Sequence, residues 1–164
     1  MQMIYDEILL KYQDRKILDL GCGNCSLLNK LSRAGYKIKG IDANPFRVFK
    51  WQRNGNKCVY FALVEALPFD DESFDIIISQ EVLEHILDIK QGIREMYRIL
   101  RRGGIIFIQV PFRNLVDSEY HLRLFDTKTL QNLIAEKFEV LSCTTIPYLV
   151  GEQNNNIYLK AKKL

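Results

Sequence analysis

The sequence lacks several features that would assign it to a specialised class of protein. It contains no run of about 18 apolar residues, so we expect no membrane-spanning helix. Met1 is followed directly by an amphipathic segment that carries Asp6 and Glu7, which is unlike a signal peptide, and we therefore expect a cytoplasmic protein. The 23 basic and 20 acidic residues leave a net charge of +3, which is too small to indicate a nucleic-acid partner.

The sequence also lacks internal repeats, low-complexity segments and an appended recognition domain, and it contains only four cysteines. A length of 164 residues suits one domain with a substantial core, so we predict a single domain over residues 1–164. Cys22 and Cys25 have the C-x-x-C spacing of redox and metal sites. No second close pair accompanies them, and we therefore interpret both as small residues of a glycine-rich turn.

The most informative stretch is residues 16–25, KILDLGCGNC. Its first half predicts a short buried strand, and Gly21 and Gly23 predict a tight turn after that strand. Apolar residues at helical spacing follow the turn, at Leu27, Leu28, Leu31 and Ala34. Glycine backbone lets a ligand approach closely, and the first helical turn presents unpaired N–H groups to the same place. This strand, turn and helix therefore predict a ligand-binding site.

Two acidic residues indicate which ligand the turn would bind. Asp19 lies just before the glycines, and Asp42 ends a second predicted strand about 20 residues later, the spacing at which a carboxylate meets ribose hydroxyls. A carboxylate at position 19 would repel a pyrophosphate, but it would pair with an ammonium group. The pattern therefore favours S-adenosylmethionine over a nicotinamide dinucleotide, and a nicotinamide-dependent dehydrogenase is the first alternative.

Five blocks of sequence, in order, resemble the class I S-adenosylmethionine-dependent methyltransferases: DLGCGNC, GIDANP, EALPFDDESFDIIIS, EVLEH and ILRRGG. The resemblance extends from about Lys16 to Leu164 and implies an α/β fold. That fold is a three-layer Rossmann-like sandwich, with a seven-stranded, mostly parallel sheet and an antiparallel final strand. It also implies methyl transfer by in-line displacement to a small-molecule acceptor, with S-adenosyl-L-homocysteine as product. An N-terminal helix within residues 1–14 would pack on or over the cofactor site.

The resemblance also implies the residues that bind the cofactor. Asp19 would hold the ammonium group, the glycine turn would pass under the methionine part, and Asp42 would meet the ribose. Leu63 occupies the position where the family has an acid that contacts adenine, so Glu65 or the backbone beside it would hold the ring. The complete predicted set is Asp19, Gly21, Cys22, Gly23, Asp42, Ala43, Val64, Glu65, Ser79 and Gln80.

The acceptor side is less defined by the sequence. Residues 111–125 have no clear period and follow a strand on the ligand side, so they are expected to contact the acceptor. The candidates there are Arg113, Tyr120, His121 and Arg123. We predict no catalytic residue and no metal ligand, because the sulfonium is already electrophilic. His85 or His121 would be the base if the acceptor is a hydroxyl or an acidic carbon.

Two further interpretations remain open at this level. The acidic run at residues 70–73 is predicted to be an exposed loop and not a metal site, because no histidine lies close to it in the sequence. The second functional alternative is a catalytically silent, methyltransferase-like binding module or a subunit of a complex, which the substitutions at Leu63 and Cys25 favour.

Three local predictions complete the sequence analysis. The aromatic residues Phe46, Phe49 and Trp51 are expected in the core beneath a third helix that Asn44 caps. The pair Arg101 and Arg102 is expected at the end of a later helix, where cations suit the helix dipole, with glycines 103 and 104 ending it. The start of that helix, at residues 88 and 91, is expected to form a capping box.

Overall fold

The sheet organises the molecule. The computed structural model describes residues 2–112, 121–147 and 155–164. The strands are β1 Lys16–Leu20, β2 Lys37–Asp42, β3 Val59–Phe61, β4 Phe74–Gln80, β5 Leu100–Pro111, β6 Glu139–Pro147 and β7 Asn155–Lys162. The helices are α1 Gln2–Lys11, α2 Ser26–Arg33, α3 Pro45–Arg53, α4 Ile89–Ile99 and α5 Thr127–Ala135, with a short 3₁₀ turn at Leu83–His85.

The seven strands form one sheet in the order β3-β2-β1-β4-β5-β7-β6. The pairs among the first five strands are parallel, whereas β7 runs antiparallel to both β5 and β6. This arrangement confirms the predicted fold class and its reversed final strand. The edge strand β3 is short, with three residues.

The sheet has an apolar cluster on each face, because its central strands carry runs of consecutive apolar residues. In β4, Ile77 packs into the cluster beneath α4 and α5, whereas Ile76 and Ile78 pack into the cluster beneath α1, α2 and α3. In β5, Ile106 and Phe107 divide between the faces in the same way. Continuous apolar strands are typical of a parallel sheet that helices cover on both sides.

Helix α1 packs against the sheet. Ile4 and Ile8 are buried in the same cluster as the first helices after β1 and β2. Glu7 accepts hydrogen bonds from Lys160 Nζ at 2.6 Å and from the Tyr158 hydroxyl at 3.2 Å, which attaches this helix to β7.

Two of the aromatic residues of α3 are on the surface, so the prediction of a buried aromatic face is wrong. Phe46 is 83% exposed and Phe49 is 65% exposed. Residues three apart share a helix face, and here the face that packs inward carries Val48 and Trp51. The predicted cap of this helix is correct, since the Asn44 side chain accepts from the first amides of the helix.

Helix α4 ends earlier than predicted, so the arginine pair does not lie at its end. Strand β5 begins at Leu100, which pairs with Phe74 of β4. Arg101 therefore lies in the strand, where its guanidinium donates to Asp75 at 3.1 Å and to the Glu72 carbonyl at 2.9 Å. The helix therefore ends where Leu100 pairs with the distant strand β4, and the sequence around Leu100 does not signal this pairing.

The start of α4 has half of the predicted capping box. The Asp88 side chain accepts from the Gln91 amide at 2.9 Å, as expected. The Gln91 side chain does not return to Asp88 but donates to the Glu65 carbonyl at 3.3 Å. The Asp88 amide donates instead to the Glu65 carboxylate at 3.3 Å, which completes the cap from another part of the chain.

Candidate cofactor and acceptor site

The glycine turn, residues 21–25, connects β1 to α2 at the carboxyl end of the sheet. Gly21 and Gly23 have φ angles of +64° and +50°, which residues with a Cβ atom adopt reluctantly. A Cβ atom at Gly21 would lie 2.5 Å from Cγ2 of Val82, so the turn also packs directly against the segment after β4. The turn is fixed to β2 by a 2.8 Å hydrogen bond from the Cys22 amide to the Ile41 carbonyl.

Asp42 ends β2 beside this turn. Its Oδ2 accepts from the Gly23 amide at 2.8 Å, and its Oδ1 accepts from the Asn44 amide at 2.8 Å. A guanidinium nitrogen of Arg47 lies 3.9 Å from Oδ2. Because both oxygens are bound to the backbone, the carboxylate is fixed in position before any ligand arrives. Neighbouring Ala43 is exposed.

Asp19 lies in β1 one residue before the strand ends, and it is buried. Burial, followed by repulsion from Asp42, raises the pKa of the Asp19 carboxyl to about 7. The structure thus brings both predicted acids to the glycine turn. A buried carboxyl of this kind is held in its neutral form until a cation compensates for its charge.

The residues near the predicted adenine contact differ in exposure and in their hydrogen bonds. Leu63 is 51% exposed and forms an isolated bridge with Ala66, and Val64 is buried. Glu65 Oε1 accepts from the amides of Leu87 and Asp88, at 3.0 and 3.3 Å. The Glu65 carboxylate therefore anchors the segment before α4.

Ser79 and Gln80 end β4 next to the glycine turn. Ser79 pairs in register with Leu20 at the end of β1. Its hydroxyl is buried and has no hydrogen-bond partner among the residues that the structure describes. Gln80 donates from Nε2 to Oε1 of Gln109 at 3.3 Å.

Three residues beside this edge form an acid–imidazole cluster: Glu84, His85 and His121. Each offers one ligand atom, and these atoms lie within 4.8 Å of one another. The two imidazole rings have centroids 5.0 Å apart, and His85 Nε2 lies 3.7 Å from a Glu84 oxygen. Burial raises the pKa of Glu84 to about 8, and neither of its oxygens has a hydrogen-bond partner in the described part of the chain.

The acid–imidazole cluster lies close to the glycine turn. Val82, which packs against Gly21, is two residues before Glu84. The Leu122 amide donates to the Glu84 carbonyl at 2.9 Å, which holds His121 beside this segment. Such a cluster can accept a proton, and its one carboxylate and two imidazoles can also hold a divalent cation.

The remaining predicted acceptor contacts have different outcomes. Arg113 and Tyr120 lie outside the described residues. Arg123 donates to the backbone carbonyls of Leu83, Ile86 and Leu87, so its guanidinium holds this segment and does not face an acceptor as a free cation. Around it the side chains of Leu87, Leu122 and Leu124 are exposed.

The sequence analysis missed Glu84 as a member of the site. Its signal was present, since an acid directly precedes His85 in an otherwise apolar segment. The acidic loop at residues 70–73 is a structural feature: Asp71 pairs with Arg98 at 2.8 Å, and the Ser73 hydroxyl donates to the Asp70 carbonyl.

Comparison with known proteins agrees with this geometry. Residues 18–108 match a family described as a methyltransferase domain. The chain is 34% identical over 119 residues to a ubiquinone biosynthesis O-methyltransferase of Pelagibacter ubique, a match that covers 66% of this chain and 50% of that protein. The chain thus spans about half the length of the ubiquinone biosynthesis relatives that it matches.

Solved structures share the fold. A methyltransferase from Methanosarcina mazei superposes with a TM-score of 0.82 at 20% identity, covering 100% of this chain and 98% of that chain. The 1,6-didemethyltoxoflavin N1-methyltransferase of Burkholderia thailandensis, solved with S-adenosylhomocysteine, gives 0.77 at 18% identity, covering 95% and 74%. No helix within the described ranges is long and apolar enough to cross a membrane. The matched domain, the glycine turn and its two acids together show that the chain belongs to the class I S-adenosylmethionine-dependent methyltransferases.

Proposed function

We propose that this protein transfers a methyl group from S-adenosylmethionine to a hydroxyl oxygen of a small aromatic acceptor. The observation that carries the proposal is the acid–imidazole cluster, which lies beside the segment that packs on Gly21. A phenolic oxygen attacks the methyl carbon in line with the S–CH₃ bond, and S-adenosylhomocysteine leaves. The hydroxyl proton must go to a base, and His85 and His121 are the nearby groups suited to accept it.

The cofactor contacts in this proposal follow the geometry of the glycine turn. Asp19 would pair with the methionine ammonium, and Asp42 would accept from the ribose hydroxyls through the lone pairs that its two amide bonds leave free. Gly21 and Gly23 would pass under the methionine part. Ala43, Val64 and Leu63 would border the adenine, and Ser79 and Gln80 would face the methyl group.

The chemical character of the acceptor is inferred from the rim of the cluster. Leu87, Leu122 and Leu124 are exposed there, and apolar side chains favour an acceptor with an apolar ring or tail. The relatives named for ubiquinone biosynthesis are O-methyltransferases, which supports an oxygen acceptor. This combination also argues against the silent binding module, because a module without turnover needs no proton acceptor.

The test is turnover of a panel of catechols by the wild-type chain and by His121→Gln and His85→Gln. Loss of the base should lower kcat by about 10²–10⁴-fold and leave the affinity for S-adenosylhomocysteine unchanged. Lys57→Gln, on the exposed loop before β3, is the control and should retain activity. Cofactor binding without turnover of any acceptor would support the silent module and contradict the proposal.

A second arm of the same test distinguishes two ways of activating the acceptor hydroxyl. The three ligand atoms of the cluster lie close enough to bind one divalent cation, which would lower the pKa of a coordinated hydroxyl. If a chelator abolishes turnover and Zn²⁺ restores it, a cation activates the oxygen. If a chelator has no effect, an imidazole accepts the proton directly.

A further inference from the structure

Two cysteine thiols meet inside the glycine turn. The Sγ atoms of Cys22 and Cys25 are 3.4 Å apart, and both side chains are buried. The Cys25 amide donates to the Cys22 carbonyl at 2.6 Å, so the backbone itself closes a turn that holds the two residues together. The other two cysteines are differently placed: Cys58 is exposed and Cys143 is half-buried.

The fold accommodates this pair through a left-handed backbone conformation at Cys25 and a missing side chain at Gly40. Cys25 has φ and ψ angles of 53° and 27°, in the left-handed region that favours glycine. A Cβ atom on Gly40 of β2 would lie 3.0 Å from the Cys22 sulfur, so the missing side chain at Gly40 leaves the space that Cys22 fills. Cys25 thus lies beside Cys22 in a backbone conformation that glycine would adopt without strain.

We propose that Cys22 and Cys25 are a site of oxidative modification, forming a reversible disulfide that lowers the affinity of the turn for its cofactor. The oxidant is a low-molecular-weight disulfide such as oxidised glutathione. One cysteine thiolate attacks the oxidant, and one glutathione thiolate leaves. The second cysteine then displaces the other glutathione. The cysteines lose two protons and two electrons, and the oxidant becomes two thiols.

Disulfide formation must distort the cofactor site. A disulfide bond is about 2.05 Å long, so the two sulfurs have to approach by more than about 1 Å. Gly23 lies between the two cysteines, and its amide donates to Asp42 at 2.8 Å while its carbonyl accepts from Trp51 at 3.2 Å. Movement of the flanking residues therefore disturbs the backbone amide that positions Asp42.

The coupling between disulfide formation and cofactor binding acts in both directions. If oxidation lowers the affinity for the cofactor, saturating cofactor must shift the thiol–disulfide equilibrium toward the thiols by the same factor. Burial raises the pKa of both thiols, so the thiolate that starts the exchange is scarce and the reaction is slow at neutral pH.

The experiment uses a Cys58→Ser/Cys143→Ser background, in which the pair provides the remaining thiols. The protein is incubated with oxidised glutathione, mapped by mass spectrometry and titrated with S-adenosylhomocysteine by calorimetry. We expect a Cys22–Cys25 linkage with loss of two hydrogen atoms, and affinity weaker by at least about tenfold. Dithiothreitol should restore the affinity. S-adenosylhomocysteine present during the incubation should slow the formation of the disulfide.

The matched variant is Cys25→Gly, which removes one thiol and relieves the backbone strain. Its affinity for S-adenosylhomocysteine is measured before and after treatment, and oxidised glutathione should not change that affinity. Cys25→Ser repeats the test with a residue of similar size. The proposal is overturned if no Cys22–Cys25 bond forms, if it forms without loss of affinity, or if oxidation weakens the Cys25→Gly variant equally. Acceptor turnover is not measured, so the result is independent of the proposed function.

Discussion

At the residue scale, the two carboxylates of the glycine turn are held in opposite ways. Asp42 is fixed in position by hydrogen bonds from two backbone amides. Asp19 is buried, and its pKa rises to about 7. The negative charge of Asp19 therefore appears only as the pH rises through about 7, and in the proposed site an incoming ammonium group would favour its ionised form.

This difference predicts the pH dependence of cofactor binding. An ammonium group pairs with the ionised form of Asp19, so below pH 7 binding must first remove a proton. The affinity for S-adenosylhomocysteine should therefore fall by about tenfold per pH unit below 7 and level off above it. Calorimetry between about pH 5.5 and 8.5, in two buffers of different ionisation enthalpy, measures both the affinity and the released proton.

Asp19→Asn is the control, because an amide cannot ionise. Its affinity should be weak and nearly independent of pH, and it should release no proton. Stability depends on pH in the opposite direction. Because the pKa of Asp19 is higher in the folded protein than in the unfolded chain, the free energy of unfolding of the unliganded wild type falls as the pH rises from about 4 to about 7. An affinity that did not change with pH would contradict the assignment of Asp19 to the ammonium.

At the element scale, a segment without a helix connects β3 to β4, and one arginine of α4 holds it. Arg98 donates to the carbonyls of Phe69 and Leu67, at 2.7 and 3.0 Å, and to the Asp71 carboxylate at 2.8 Å. Glu95, one turn earlier in α4, accepts from both Arg98 and the Leu67 amide. This network fixes the stretch that leads away from Val64, so it also supports the proposed adenine side of the site.

We expect Arg98→Gln to lower the free energy of unfolding by about 2–3 kcal/mol, because two carbonyls and two carboxylates lose a charged donor. Urea unfolding measures the change. Arg94→Gln is the matched control: it lies on the same helix and donates from Nε to the neighbouring Gln91 at the surface, and it should change stability by less than about 0.5 kcal/mol. Equal losses in the two variants would show that the network contributes nothing beyond helix propensity.

At the scale of the whole molecule, the site draws on strands that are distant in sequence. The carboxyl ends of β1, β2 and β4 meet at the glycine turn, and residues after β5 complete the acid–imidazole cluster. Because these strands are the centre of the sheet, a ligand that bridges their ends binds the folded state as a whole and not one loop. Its binding free energy therefore adds to global stability.

The expected effect is a rise in thermal stability with cofactor concentration. S-adenosylhomocysteine at 100 times its Kd should add about 2.7 kcal/mol to the free energy of unfolding, which corresponds to roughly 5–10 °C in Tm for a chain of this size. Differential scanning calorimetry measures the shift. Asp42→Ala should lose measurable cofactor binding and, with it, the shift in Tm. An undiminished shift would show that Asp42 does not bind the ribose.

The sequence by itself determined the features that depend on neighbouring residues. The apolar stretch before Gly21 predicted β1, the glycines at 21 and 23 predicted the turn, and the family resemblance implied the reversed final strand. The positions of Asp19 and Asp42 at strand ends could also be predicted, because the carboxyl ends of parallel strands lie at one edge.

Only the tertiary structure decided which side chains meet across long distances in the sequence. Glu65 binds the amides that precede α4, and Glu84 lies beside His121, 37 residues away in the chain. Phe46 and Phe49 are exposed because the sheet covers the opposite face of α3. Periodicity fixes which residues share a face, but the packing of distant elements determines whether that face is covered and whether a charged group finds a partner.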